Sequence, residues 1–214
     1  MLKILCFGDS ITYGAWDCEG GWVTRIRKKI DKIDIESGLQ SFILTYNLGI
    51  SSDTSELLLE RFDAEIESHS KEPGAHLVII SIGTNDSIRS SNGTQWVEVS
   101  HFEQNIRTLI DKARRTARGV VFLGNLPVDE SKTRPYLKKP GLTSTNTDIE
   151  LYEHTTEKVC KELRAGFIPV FDGAVKKDYR DLLFSDGIHP NEKGHELLSE
   201  KVWDYLETNR WVVR

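Results

Sequence analysis

Short apolar runs alternate along this chain with longer stretches in which apolar residues recur every three or four positions. Residues 3–8, KILCFG, read as a buried strand, and residues 22–36 place Trp22, Ile26, Ile30 and Ile33 at helical spacing. Residues 42–48, FILTYNL, read as a second strand. A helix then starts near Asp53, with Glu56 at capping-box distance and Leu57, Leu58, Phe62 and Ile66 on its inner face; Pro73 and Gly74 close the unit. Residues 76–82, HLVIISI, are apolar at nearly every position, as a strand covered on both faces should be. The next helix opens at Ser100 and Glu103, again in capping-box spacing, and carries Phe102, Ile106, Leu109, Ile110 and Ala113. Residues 119–124 form strand four, and a helix over 148–164 presents Leu151, Tyr152, Val159 and Leu163. Residues 167–171, FIPVF, form a fifth strand whose internal proline places it at an edge. A last helix runs from Pro190, a residue suited to the first helical position, to about Thr208, with Leu198, Val202 and Leu206 inward.

Five strands alternating with helices predict an α/β fold, a parallel sheet covered on both sides. The 214 residues suit one domain spanning 1–214, without repeat or linker. Two loops, 86–99 and 125–147, are long for a compact domain, and such loops tend to carry function. A net charge of −5 argues against nucleic acid or an anionic membrane as the main partner. The basic clusters at 25–29 and 112–115 fall in helical patterns and read as solvated faces. Cys6, Cys18 and Cys160 have neither disulfide nor zinc spacing, which predicts reduced thiols in a cytoplasmic setting. The apolar run at the N-terminus ends at Phe7, too short for a signal-peptide core or a membrane span.

In open parallel sheets ligands bind beyond the carboxyl ends of the strands. Polar residues gather there: Gly8, Asp9 and Ser10 after strand one; Gly49, Ser51, Ser52 and Asp53 after strand two; Gly83 to Asp86 after strand three; Asn125 and Asp129 after strand four; and the FSDGIHP segment, residues 184–190, after strand five. Singly, these are turn formers and helix starts. Jointly, they are the parts of a serine hydrolase. Ser10 is the candidate nucleophile, His189 the base, and Asp186 the group that fixes the imidazole tautomer. Backbone N–H groups after Ser10 and near Ser52, with the Asn85 amide, are candidate donors to an oxyanion. Tyr13 and Trp16, close to Ser10, either line a substrate pocket or simply pack.

The blocks FGDSIT (7–12), NLGISSDTS (47–55), IGTND (82–86) and DGIHPNEKG (186–194) resemble, in content and order, the GDSL esterases and lipases, or SGNH hydrolases. The resemblance spans nearly the whole chain. It implies a flavodoxin-like three-layer α/β/α sandwich on a five-stranded parallel sheet, and hydrolysis of acyl esters without metal or cofactor. It implies Ser10, Asp186 and His189 as catalytic residues and an oxyanion hole from Ser10, Ser52 and Asn85, with Asp9 and Gly83 in support. The chain departs from the family at Ser52, where the family has a glycine; serine keeps the N–H but restricts φ and narrows the pocket.

Short acyl esters suit a chain with no long apolar lid segment, so the expected partner is a small-molecule ester, with neither nucleic acid nor stable membrane association and with the oligomeric state left open. Thioesterase or lysophospholipase action, or a non-catalytic or carbohydrate-binding role on the same scaffold, are the competing functions. An α/β-hydrolase-fold lipase would need a G-x-S-x-G elbow, and a nucleotide-binding module a Walker or G-x-G-x-x-G loop; the chain has none of these. A metal site on Asp186, His189 and His195 lacks a second carboxylate.

Overall fold

The computed structural model describes residues 1–70, 74–176 and 178–212; Pro73, expected to help close the second unit, lies outside them. Five parallel strands, β1 (Leu2–Gly8), β2 (Ile43–Gly49), β3 (Ala75–Ser81), β4 (Ala117–Leu123) and β5 (Gly166–Ile168), form one sheet in the order β2-β1-β3-β4-β5. The eight α-helices among the described residues are α1 (Ser10–Tyr13), α2 (Gly21–Glu36), α3 (Ser55–Ser70), α4 (Val99–Arg114), α5 (Glu130–Thr133), α6 (Asn146–Leu163), α7 (Phe171–Val175) and α8 (Glu192–Thr208). This is the α/β sandwich that the alternation of patterns predicts.

Strand periodicity explains the layers. Along β1, Ile4 and Cys6 point to the face covered by α2 and α8, while Leu5 and Phe7 point to the face covered by α3, α4 and α6. β3 repeats the division, with Leu77 and Ile79 on one side and Val78 and Ile80 on the other. All eight side chains are fully buried, so successive residues of a central strand bury apolar area in two separate cores. Trp22 is the largest buried side chain beneath α2, and Phe7 meets Phe62 with ring centroids 4.7 Å apart.

Several helix starts differ from expectation, because their caps come from distant residues. The N–H of Ser55, at the start of α3, donates to Asp86 (2.8 Å), while Asp53 pairs with Arg61 (2.8 Å). α4 starts at Val99 behind Glu98, with no side-chain cap, so the Ser100–Glu103 box does not form. α8 is capped by Asn191, whose side chain accepts from Gly194 N, and Pro190 stands just before it. Leu57 and Leu151, expected on inner faces, are exposed.

β5 is shorter than expected because Val170 and Phe171 turn their N–H groups to the buried Glu153 carboxylate (both 2.9 Å). The same carboxylate accepts from Asn125 N (2.6 Å), at the exit of β4. Gly124 leaves room for it: a β-carbon there would lie 2.6 Å from a Glu153 oxygen. Burial raises the pKa of Glu153 despite those three N–H groups. One side chain of α6 thus fixes the ends of two strands. Glu153→Ala is expected to remove about 3 kcal/mol of stability, since three buried donors lose their acceptor, measured by equilibrium urea unfolding. A loss below about 0.5 kcal/mol, the range of ordinary surface substitutions, would contradict this role.

Candidate active site

The three neighbouring strands β2, β1 and β3 stop level with one another. Gly8 pairs in register with Gly49 on one side and Ser81 on the other, so the segments that follow emerge side by side. After β1 the chain must turn at once into α1. A β-carbon on Gly8 would lie 2.2 Å from Thr12 Oγ1 and 2.3 Å from the Ser81 carbonyl, so only glycine fits. Asp9 caps α1, accepting from Ile11 N (2.8 Å). That cap sets Ser10 at the first position of the helix, where its N–H has no partner within the helix.

Ser10 Oγ lies 2.9 Å from His189 Nε2, and His189 Nδ1 lies 2.6 Å from Asp186 Oδ2. The other Asp186 oxygen accepts from the N–H groups of Ile188 (3.0 Å) and His189 (3.1 Å), so one carboxylate orders both the loop and the ring. Burial would raise the Asp186 pKa, but the bond from His189 and these N–H groups outweigh it and hold it below the ordinary value. The loop is braced from the side: Asp129 N donates to the Gly187 carbonyl (2.8 Å), and Phe184 N to the His189 carbonyl (2.7 Å). Asp129 itself caps α5 and pairs with Lys132 (3.2 Å). The long 125–147 segment is therefore a support for the Asp186–His189 loop. It is tied to the other long loop by paired backbone bonds between Arg89 and Thr143 and by the Arg89–Asp148 ion pair (2.6 Å).

Ser52 and Asn85 face Ser10 across the same cleft. Asp53 N donates to the Ile50 carbonyl (3.2 Å), closing a turn in which Ser52 has φ +70°. That is the left-handed conformation in which glycine sits without strain. Serine here adopts the glycine conformation at a cost of about 1–2 kcal/mol, and the backbone geometry survives the substitution. Asn85 Nδ2 donates to the Asp53 carbonyl (2.9 Å), which orients the amide, and makes only a long contact to Asp9 Oδ2 (3.4 Å). Gly83 turns the chain toward Asn85 at φ +123°, where a β-carbon would press on Asn125 and Phe102 (both 3.2 Å).

Arg61 carries no signal in the sequence beyond a charge beside the apolar positions Leu58 and Phe62, yet it joins the segments that follow β1 and β2. Its guanidinium donates to the carbonyls of Leu48 (2.8 Å) and Gly8 (3.2 Å) and to Asp53 (2.8 Å). His195, a candidate metal ligand with Asp186 and His189, is buried and is not part of the cleft lining, with Nε2 3.3 Å from the Ala15 carbonyl. The three side chains that could share an ion among the described residues are Glu150, His154 and Asp172, all exposed and none of them in the cleft lining.

The cleft has a volume of about 1020 Å³. Its floor is Ser10, buried at 7% exposure, and its walls include Trp16, Trp96, Tyr136 and Phe184. Tyr13 and Trp16 are 62% and 61% exposed, so they line the opening and do not pack into the core. A groove of about 780 Å³ between α2 and Trp203 includes Ser37 and Ser41 but no histidine in its lining.

A hydroxyl, an imidazole and a carboxylate in hydrogen-bonded series on the floor of such a cleft have the geometry a serine hydrolase requires. The sequence pattern of the GDSL-like Lipase/Acylhydrolase family matches residues 6–197, and the chain belongs to that family, whose members act on ester bonds. Among curated relatives, the GDSL esterase/lipase WDL1 of Oryza sativa subsp. japonica is 27% identical over 215 residues, covering 96% of this chain and 77% of that protein. The isoamyl acetate-hydrolyzing esterase 1 homolog of Bos taurus is 23% identical over 96% of this chain and 81% of its own length. In fold, the chain superposes on the lipase/acylhydrolase from Enterococcus faecalis with a TM-score of 0.73 at 21% identity, covering 98% of this chain and 97% of that one. It superposes on a catalytic mutant of Axe2, an acetylxylan esterase from Geobacillus stearothermophilus, with a TM-score of 0.72 at 19% identity, over 94% and 92%.

Burial pushes the Asp9 pKa from an ordinary 3.8 to about 7, against the pull of Ile11 N–H and His189 and helped by the nearby Asp86 and Asp53. Asp86, also buried, is raised to about 6. Between pH 4 and 7 the folded protein therefore holds a proton at Asp9 that the unfolded chain has released, and stability falls as pH rises through that window. Asp9→Asn keeps an acceptor for Ile11 N without the charge. Its melting temperature is expected to fall less between pH 5 and pH 8 than that of the wild type. An equal or steeper fall would exclude Asp9 as a source of the pH dependence.

Proposed function

We propose that the protein is a serine esterase cleaving short-chain acyl esters of small molecules through an acyl-enzyme. The observation that carries this reading is the bonded series Ser10 Oγ to His189 Nε2 (2.9 Å) and His189 Nδ1 to Asp186 (2.6 Å). Ser10 attacks the ester carbonyl while His189 takes its proton; His189 then delivers that proton to the departing alcohol. Water, deprotonated by His189, releases the acid and restores Ser10. The tetrahedral oxyanion is held by the N–H groups of Ser10 and Ser52 and by the Asn85 amide, which the Asp53 carbonyl orients and whose second hydrogen has only the long contact to Asp9 to give up. Asp186 keeps the imidazole in the tautomer that presents a bare Nε2 to Ser10.

Two relatives support the preference for small acyl groups, since one is named for isoamyl acetate and another for acetylxylan, both acetyl esters. The three unpaired cysteines support a reducing, cytoplasmic setting. Among the described residues no helix is long and apolar enough to cross a membrane. Hydrolysis of p-nitrophenyl acetate through decanoate separates the readings. The wild type is expected to turn over C2 to C4 esters fastest. Ser10→Ala is expected to stay folded and to lose at least about a thousandfold in kcat/KM. A maximum at long chains would favour lysophospholipase action. Equal rates with Ser10→Ala, or no turnover of any ester by the folded wild type, would overturn the esterase reading.

A further inference from the structure

The aromatic side chains beside His189 have a position that the direction of acyl transfer interprets. This inference rests on the esterase reading. During acylation the imidazole hands its proton from Nε2 to the leaving oxygen, which must come within about 3 Å of that nitrogen. The alcohol half of the ester therefore lies against His189, while the carbonyl oxygen points the other way, to Ser52 and Asn85. Any group that flanks the imidazole faces the alcohol.

Trp16 and Phe184 flank it. The Trp16 ring stands edge-to-face against the His189 ring with centroids 6.0 Å apart, and Phe184 lies 6.0 Å from Trp16. Both line the cleft, and both are partly open to solvent, Trp16 at 61% exposure. A tryptophan that only filled space would be buried. This one also sits at φ +67°, a conformation unfavourable for a bulky side chain.

The chain holds it there from both sides. The Ala15 carbonyl accepts from the buried His195 (3.3 Å). The Asp17 carboxylate accepts from Gly21 N (2.9 Å) and Glu19 N (3.2 Å) and pairs with Arg25. Asp17 thereby ties the loop to the first turn of α2, and Trp16 projects between two fixed neighbours toward the catalytic ring.

We infer that Trp16, with Phe184, forms the alcohol subsite, and that it selects esters whose alcohol has a flat, extended apolar face, an aryl ring or a pyranose ring, over small alkyl alcohols. Stacking on an exposed indole favours such a face. A role confined to shielding His189 from water would affect every ester alike.

The test measures kcat/KM, which covers the steps up to acylation while the alcohol is still attached. The substrates are ethyl acetate, phenyl acetate and an acetylated methyl pyranoside, each assayed with wild type, Trp16→Ala and Trp16→Phe. Intrinsic leaving-group reactivity cancels when each ratio is compared between enzymes. In Trp16→Ala the phenyl-to-ethyl or the pyranoside-to-ethyl ratio is expected to fall about three- to tenfold, with Trp16→Phe restoring part of it; which ratio falls further identifies the natural ring. The butyrate-to-acetate ratio of p-nitrophenyl esters is expected to match the wild type. A change in that acyl ratio would place Trp16 on the acyl side and overturn the inference, as would a uniform loss on all acetates or unchanged ratios throughout. Absence of serine-dependent turnover of every acetate by the wild type is a different result: it overturns the esterase reading, and the alcohol subsite with it.

Discussion

Where parallel strands stop side by side, their last carbonyls face the loops that follow, and a donor placed there ties strand ends and loops together. At the carboxyl edge of this sheet Arg61 does so. Its planar fork reaches the Gly8 carbonyl at the end of β1, the Leu48 carbonyl near the end of β2, and the Asp53 carboxylate beyond β2. The backbone carbonyl of the same Asp53 takes the Asn85 amide. Three segments far apart in sequence, those bearing Ser10, Ser52 and Asn85, are thus joined through one cation and one aspartate. A guanidinium suits the task because it offers several donors in a fixed plane, where an ammonium would offer a point charge. The guanidinium carbon also lies over the Phe7 ring, 5.8 Å from the centroid, so the cation is held against the apolar core.

This arrangement places several carboxylates under the site, and they differ in how they are compensated. Asp53 has Arg61, and Asp186 has His189 and two N–H groups. Asp9 has one N–H and Asp86 the Ser55 N–H, and burial drives both toward their neutral forms. A neutral Asp9 competes less for the Asn85 amide at 3.4 Å than an ionised one would. The polarity that orders the turn at Ser10 is thus compatible with the role proposed for the Asn85 amide, whose contact to Asp9 is long.

What was legible in the sequence is what the chain encodes locally. The apolar runs of β1 and β3 marked strands covered on both faces, and the spacing of Phe102, Ile106, Leu109 and Ile110 marked the buried stripe of α4. Ser10, with its Asp9 cap, and the Asp186–His189 pair each lie within a few residues of their partners, so a short motif carries them. What was not legible depends on groups that meet only after folding. Asp53 had the spacing of a cap, yet Asp86, from the next strand's loop, caps α3 and leaves Asp53 to Arg61. β5 ends early because Glu153, on the preceding helix, draws away the next two N–H groups. The length of the 125–147 loop suggested a function without saying which, and only the bond from Asp129 to the Gly187 carbonyl shows it bracing the Asp186–His189 loop. At Ser52 the residue type argued against positive φ, and the turn imposed it all the same.

On the proposed mechanism Ser10 becomes covalently acylated because His189 and Asp186 prepare its oxygen. The most direct measurement is the intact mass and peptide map of the protein after treatment with diethyl p-nitrophenyl phosphate, which leaves a diethylphosphoryl group on an activated serine. One group per chain on Ser10, its attachment slowed in His189→Ala and absent in Ser10→Ala, is the expected result. Labelling elsewhere, or labelling of Ser10 at the same rate without His189, would contradict it.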